Sequence, residues 1–241
     1  TMPVNVTEGK VLPTITLAET DNSVCDPALT SPSIPYNGTV TATVTNQVGA
    51  LTDYTFNFGA GMNAGVTTGN VYSQLNGGLT LYTGTATHTP TGCASSVQSI
   101  QVFNIPGNPV LVPDETASTN CDPALANGIA ELVTVDGVPP PAAGYTYAWT
   151  GPAAPAFPVT NPINNANTAK LIKVQGGAGY DYTVVVTNQG NGCQTTMPVN
   201  VTEGKVLPTI TLAETDNSVC DPALTSPSIP YNGTVTATVT N

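Results

Sequence analysis

The stretch TAKLIKVQGGAGYDYTVVVTNQGNGC, residues 168–193, decides the fold. Tyr182, Val184 and Val186 alternate with Asp181, Thr183, Val185 and Thr187, the two-residue period of a half-buried strand. GGAG before the strand and NQGNG after it are turn signals. Without a gap the stretch lies over TGNVYSQLNGGLTLYTGTATHTPTGC at 68–93, where Thr68, Gly77, Tyr82, Thr83, Thr87, Gly92 and Cys93 recur.

Working outward, the correspondence continues. YTFNF (54–58) matches YTYAW (145–149), and Cys25-Asp-Pro-Ala-Leu matches Cys121-Asp-Pro-Ala-Leu. TVTATVT (39–45), SIQVF (99–103) and MPVNV (197–201) carry the same strand alternation, and no segment of helical length has a 3.6-residue period. A second, longer repeat encloses the first: residues 1–46 are identical to 196–241, an offset of 195. The sequence therefore predicts an all-β chain of tandem Ig-like Greek-key β-sandwich domains. The boundaries read as the final strand of a preceding domain (1–10), whole domains at 11–107 and 108–205, and the first part of a further copy (206–241). The junctions at 103–113 and 203–208 are short and carry proline, which predicts semi-rigid linkers and a rod. The object expected is a longer array of the 195-residue unit.

Composition narrows the function. The 241 residues include 15 acidic side chains, 4 lysines and no arginine, for a net charge of −11. That balance repels phosphate backbones and anionic membrane surfaces, so nucleic acid is not an expected partner. No apolar run approaches the roughly 20 residues of a membrane span. Threonine-rich, lysine-poor β sequence with regularly placed cysteines has the style of an exported, extracellular protein.

Five cysteines stand at 25, 93, 121, 193 and 220. Each expected domain opens with a CDPAL cysteine and closes with a Gly-Cys cysteine. Pairing within domains, Cys25–Cys93 and Cys121–Cys193, lets each bridge travel with its domain on duplication and leaves Cys220 to a partner outside 1–241. It would also shield residues 26–92 and 122–192 from extension under tension. The rival pairing, Cys93–Cys121 and Cys193–Cys220, staples neighbouring domains, and spacing alone leaves both open. With one histidine and no CxxC, metal ligation is disfavoured.

The early cysteine, GYTYAW and GGAGYDYTVVVTNQGNGC resemble the SprB-type repeat of gliding-bacterium surface adhesins. Tyr145, Tyr147, Trp149, Tyr182, Val184, Val186, Gly192 and Cys193 sit at the matching places. YTFNFGAG (54–61) is similar to the core motif of PKD domains, without its aspartates and tryptophan. The resemblance implies Ig-like sandwiches in long surface adhesins or fibres and supplies no catalytic residue.

His88, aligned with Asn188, reads as a strand-end residue rather than a general base, so no enzyme and no cofactor are expected. Trp149 and Phe58 read as core plugs. Glu19, Asp21, Asp26, Asp114, Glu115 and Asp122 lie beside the junctions as weak calcium candidates, without a DxDxDG spacing. Asn5, Asn37, Asn200 and Asn232 match the glycosylation sequon, a pattern that threonine-rich sequence produces readily. The expected function is a structural fibre or adhesin stalk whose partners are other copies of the unit, in the same chain or packed laterally. The alternative is a module binding a glycan or cell surface through the proline-rich loops 137–144 and 151–162.

Overall fold

The computed structural model describes residues 2–152 and 168–240. All its extended regular structure is antiparallel β. The first group holds β1 (Ile15–Thr20), β2 (Gly38–Val44), β3 (Tyr54–Ala60), β4 (Val66–Thr68), β5 (Val71–Leu75), β6 (Tyr82–His88), β7 (Cys93–Ala94) and β8 (Gln98–Ile100). One sheet has the order β1-β2-β5-β4, and the facing sheet pairs β3 with β6, which in turn pairs β7 and β8. The second group holds β9 (Leu111–Thr116), β10 (Gly128–Val135), β11 (Tyr145–Thr150), β12 (Lys170–Val174), β13 (Asp181–Asn188) and β14 (Gln194–Asn200). Its sheets, β9-β10-β12 and β11-β13-β14, repeat the first plan without a counterpart of β4 and with the single strand β14 in place of β7 and β8. A third sheet contains only β15 (Thr209–Thr215) and β16 (Thr234–Thr240).

Alternation builds the cores. On β2, Val40, Ala42 and Val44 point inward while the threonines between them face out or sit at the margin. Register Ile15↔Val44 and Leu17↔Ala42 places the apolar partners of β1 on that inner face. Against that face pack Tyr54, Phe56 and Ala86 of the facing sheet at one end. At the other end Tyr82 and Val102 meet Val40 and the β5 residues Tyr72 and Leu75 of the same sheet as β2, and Leu17 and Phe58 touch both clusters. The second core forms around Leu132, Trp149, Leu171, Tyr182, Val184 and Val186. Trp149 is thus a core side chain, its Nε1 donating to the Thr168 carbonyl at 2.8 Å. Phe58 stacks on Tyr72 at 5.4 Å.

Each buried tyrosine hydroxyl is satisfied. That of Tyr182 donates to the Gln175 carbonyl at 2.9 Å. Tyr82 lies 2.8 Å from Asn63 Oδ1 and 2.7 Å from the Asn76 carbonyl. Polarity runs the same way in both groups. Ile15, Tyr54 and His88 mark the upstream end of the first, and Asn22, Val102 and Asn104 the downstream end, where Asn22 bridges to Asn104. In the second, Leu111 lies upstream and the Ser118–Glu203 bridge downstream. The chain therefore enters each sandwich at one end and leaves at the other.

Candidate functional site: the disulfide junction

Beyond β1 and the Asn22–Asn104 bridge, the backbone forms a short 3₁₀ turn, Pro27–Leu29. Asp26 caps it, Oδ1 accepting from the Ala28 amide at 2.9 Å, and proline suits the first position because its missing N–H is unneeded there. Pro123–Leu125 and Pro222–Leu224 carry the same N-terminal cap, from Asp122 and Asp221 at 2.9 Å each; the second copy also repeats the threonine C-cap, where Pro123–Leu125 ends on Ala126. Cys-Asp-Pro-Ala-Leu is thus a rigid plug that holds its cysteine at the downstream end of a sandwich.

At the upstream end, the hairpin between β13 and β14 forms the matching socket. Gly192 adopts φ +69°, and its amide donates to the Asn188 carbonyl at 2.7 Å, so the chain turns sharply before Cys193. The first sandwich repeats the turn: Gly92 has φ +68° and donates to the His88 carbonyl at 2.8 Å.

One plug and one socket are engaged. Cys25 is disulfide-bonded to Cys193, with Cα atoms 4.9 Å apart and a sequence separation of 168. The Cys25 amide donates to the Asn191 carbonyl at 2.8 Å, and the Ser31 amide to the Gln189 carbonyl at 2.9 Å. A Cβ at Gly192 would strike the Asp26 backbone, so glycine permits the close approach. The linker is tied to the same hairpin, Asn191 Nδ2 donating to the Gly107 carbonyl (3.2 Å) and Thr195 Oγ1 to that of Pro109 (2.6 Å). Cys193 is fully buried.

This pairing corrects both sequence-based alternatives. Cys93, Cys121 and Cys220 are free thiols. Cys25 follows the downstream end of β1 and Cys93 the upstream end of β6, so the six residues of β1, roughly 20 Å, lie between them. A disulfide needs Cα atoms about 4.4–6.8 Å apart. Cys121 and Cys193 are separated within their sandwich in the same way. The shielded stretches also change: one bridge encloses residues 26–192 instead of two separate loops.

The other candidates separate. His88 ends β6 in a buried position, its Nδ1 2.7 Å from Thr91 Oγ1 and its ring 5.0 Å from that of Tyr54. Asp26 and Asp122 cap turns. Asp21 accepts from the Phe103 amide (2.9 Å), Asp114 from the Glu115 amide (2.8 Å), and Glu115 from the hydroxyl (3.0 Å) and amide (3.1 Å) of Thr202. Glu19 is exposed on β1. Among the described residues no group of three or more His, Cys, Asp or Glu is placed to hold a metal ion, so the calcium candidates do not converge.

Loop 137–144 is anchored by the Val135–Val138 bridge and by the Ala142 amide donating to the Tyr147 hydroxyl at 3.2 Å. It lies at the upstream end of β11, next to the junction, where the Gln189 amide donates to the Gly144 carbonyl at 2.8 Å. Of loop 151–162, only Gly151 and Pro152 are among the described residues, and they follow the opposite end of β11. The remainder of 151–162 lies outside the described residues. Among the described residues no helix is long and apolar enough to cross a membrane.

The 3₁₀ plug and the junction were missed in the sequence. The signal available was positional: CDPAL directly follows a first strand, whereas Gly-Cys follows one running the other way.

No family model matches the chain, and no curated protein matches it. Among solved structures it is similar to the "Crystal structure of the S-layer protein SbsC, domains 7, 8 and 9", at 10% identity and a TM-score of 0.27, over 69% of this chain and 56% of that one. The chain thus spans little more than half the length of that structure.

Proposed function

We propose that this chain is a structural segment of an exported surface fibre or adhesin stalk, in which β-sandwiches are joined end to end and stapled by disulfides. The Cys25–Cys193 junction carries this reading. It locks the downstream end of one sandwich to the upstream end of the next, and it suits an oxidising, extracellular setting. The 195-residue identity and the resemblance to SprB-type repeats support the same assignment. The units are 11–107 and 108–205, with 1–10 closing a preceding unit and 206–241 opening a further one. Their partners are other copies of the unit. The role is geometric rather than catalytic: the staple and the tied linker fix the angle between neighbours, and tension crosses the junction through sulfur.

Single-molecule extension between the termini tests this. With the bridge intact, residues 26–192 should contribute no length. A reductant should release their extended contour, on the order of 500 Å. The same extension with and without reductant would refute the tether.

A further inference from the structure

The molecule contains three Asp-capped Cys-Asp-Pro-Ala-Leu turns and two Gly-Cys hairpins with a positive glycine φ, yet a single pair is engaged. The vacant socket is the hairpin of Cys93, which lines an open cleft of about 480 Å³ with Glu8, Lys10, Val11, Val48 and His88. Its turn reproduces that of the occupied socket, including the positive φ of Gly92. The Cys121 plug is exposed and shares the capped turn of the engaged plug, Asp122 accepting from the Ala124 amide at 2.9 Å, while its following loop is shorter and lacks the Ser31 contact. Cys93 lies at the upstream end of the first sandwich and Cys121 at the downstream end of the second, so they cannot close on each other within one chain.

We infer that the Cys93 socket receives the Cys121 plug of a second copy of this chain and forms a disulfide with it. The proposal rests on the stapled-fibre reading and makes it specific. The sequence selects this plug: residues 1–10, which lead into the Cys93 sandwich, are identical to 196–205, the end of a Cys121-type sandwich. The contact is head-to-tail, so repeated use gives an open filament. Each bond removes two thiol protons and two electrons, which a small-molecule disulfide such as oxidised glutathione accepts as it becomes two thiols.

The test uses two full-length chains, both with Cys220→Ser. One also carries Cys121→Ser and offers only the socket; the other also carries Cys93→Ser and offers only the plug. After oxidation with glutathione, the mixture should give a reducible 1:1 dimer containing a Cys93–Cys121 peptide, at least tenfold more abundant than dimer from either chain alone. Equal dimer from one chain alone, or none from the mixture, would overturn the inference. The Cys25–Cys193 peptide is mapped in the same samples. If it persists while the dimer fails, the inference falls and the stapled junction stands; if it is missing too, the fibre reading falls with it.

Discussion

Residues 11–46 and 206–241 have the same sequence and different surroundings. Locally they agree: Ile15 pairs with Val44 and Ile210 with Val239, Asp26 and Asp221 cap the same turn, and Asn22 and Asn217 each donate to the carbonyl two residues on (2.8 and 2.7 Å). Burial divides them. Ile15, Val40 and Val44 are 3%, 0% and 6% exposed, while Ile210, Val235 and Val239 are 61%, 74% and 60% exposed. The first copy is covered by β3 and β6, whereas among the described residues no further strand pairs with or covers the second. Strand pairing and turn geometry are thus properties of these residues alone, whereas the core belongs to the 61 residues that follow the first copy, 47–107.

Two-stranded ribbons are marginal in water. In hydrogen exchange, the amides of β1–β2 should therefore outlast those of β15–β16 by on the order of 10³-fold. Appending a copy of residues 47–107 after Asn241 should erase the difference, and equal rates in the unextended chain would break the comparison. A smaller effect is expected from paired truncations. Val40→Ala should cost about 2 kcal/mol by denaturant melts, and Val235→Ala less than about 0.5 kcal/mol.

The two hairpin glycines allow a subtler contrast. Gly92→Ala and Gly192→Ala share the strain of a positive φ, about 1 kcal/mol, but only the second meets Asp26. Gly192→Ala should therefore also slow closure of the Cys25–Cys193 bond in a refolding assay, and Gly92→Ala should not.

The smallest effect is in pH. Burial pushes the Tyr182 hydroxyl up to about 12 and raises that of Tyr82; a hydrogen bond with Asp136 pushes Tyr145 up to about 12. An unfolded tyrosine titrates near 10. Because the folded chain holds these protons longer, their stabilising share is fully present below pH 10 and is lost as pH rises through about 12. Thermal melts should show this alkaline decline, and Tyr182→Phe should shrink it. Strands Thr209–Thr215 and Thr234–Thr240 contain no tyrosine, so signals from the ribbon should not report it.

Much of this architecture was legible. The alternation in 39–45 and 181–187 placed β2 and β13, and the internal repeat anticipated that both sandwiches share a plan. Other parts were hidden for physical reasons. β4, three residues long, is too short for periodicity to register. The alternation in SIQVF predicts a strand over 99–103, yet β8 ends at Ile100, because Val102 and Phe103 lend their carbonyls to Gly78 and Asn22 instead. The cysteine pairing differs from both expected sets because spacing along the chain carries no information on which end of a sandwich a residue occupies. Direction of travel does, and Cys25 and Cys93 follow strands that run oppositely.

The measurement that bears most directly on this account is peptide mapping of the unreduced protein after alkylation of free thiols. The account predicts a Cys25–Cys193 linked peptide. A Cys25–Cys93 peptide in its place would contradict it, because the ends of one sandwich would then have to meet and the stapled junction would not exist.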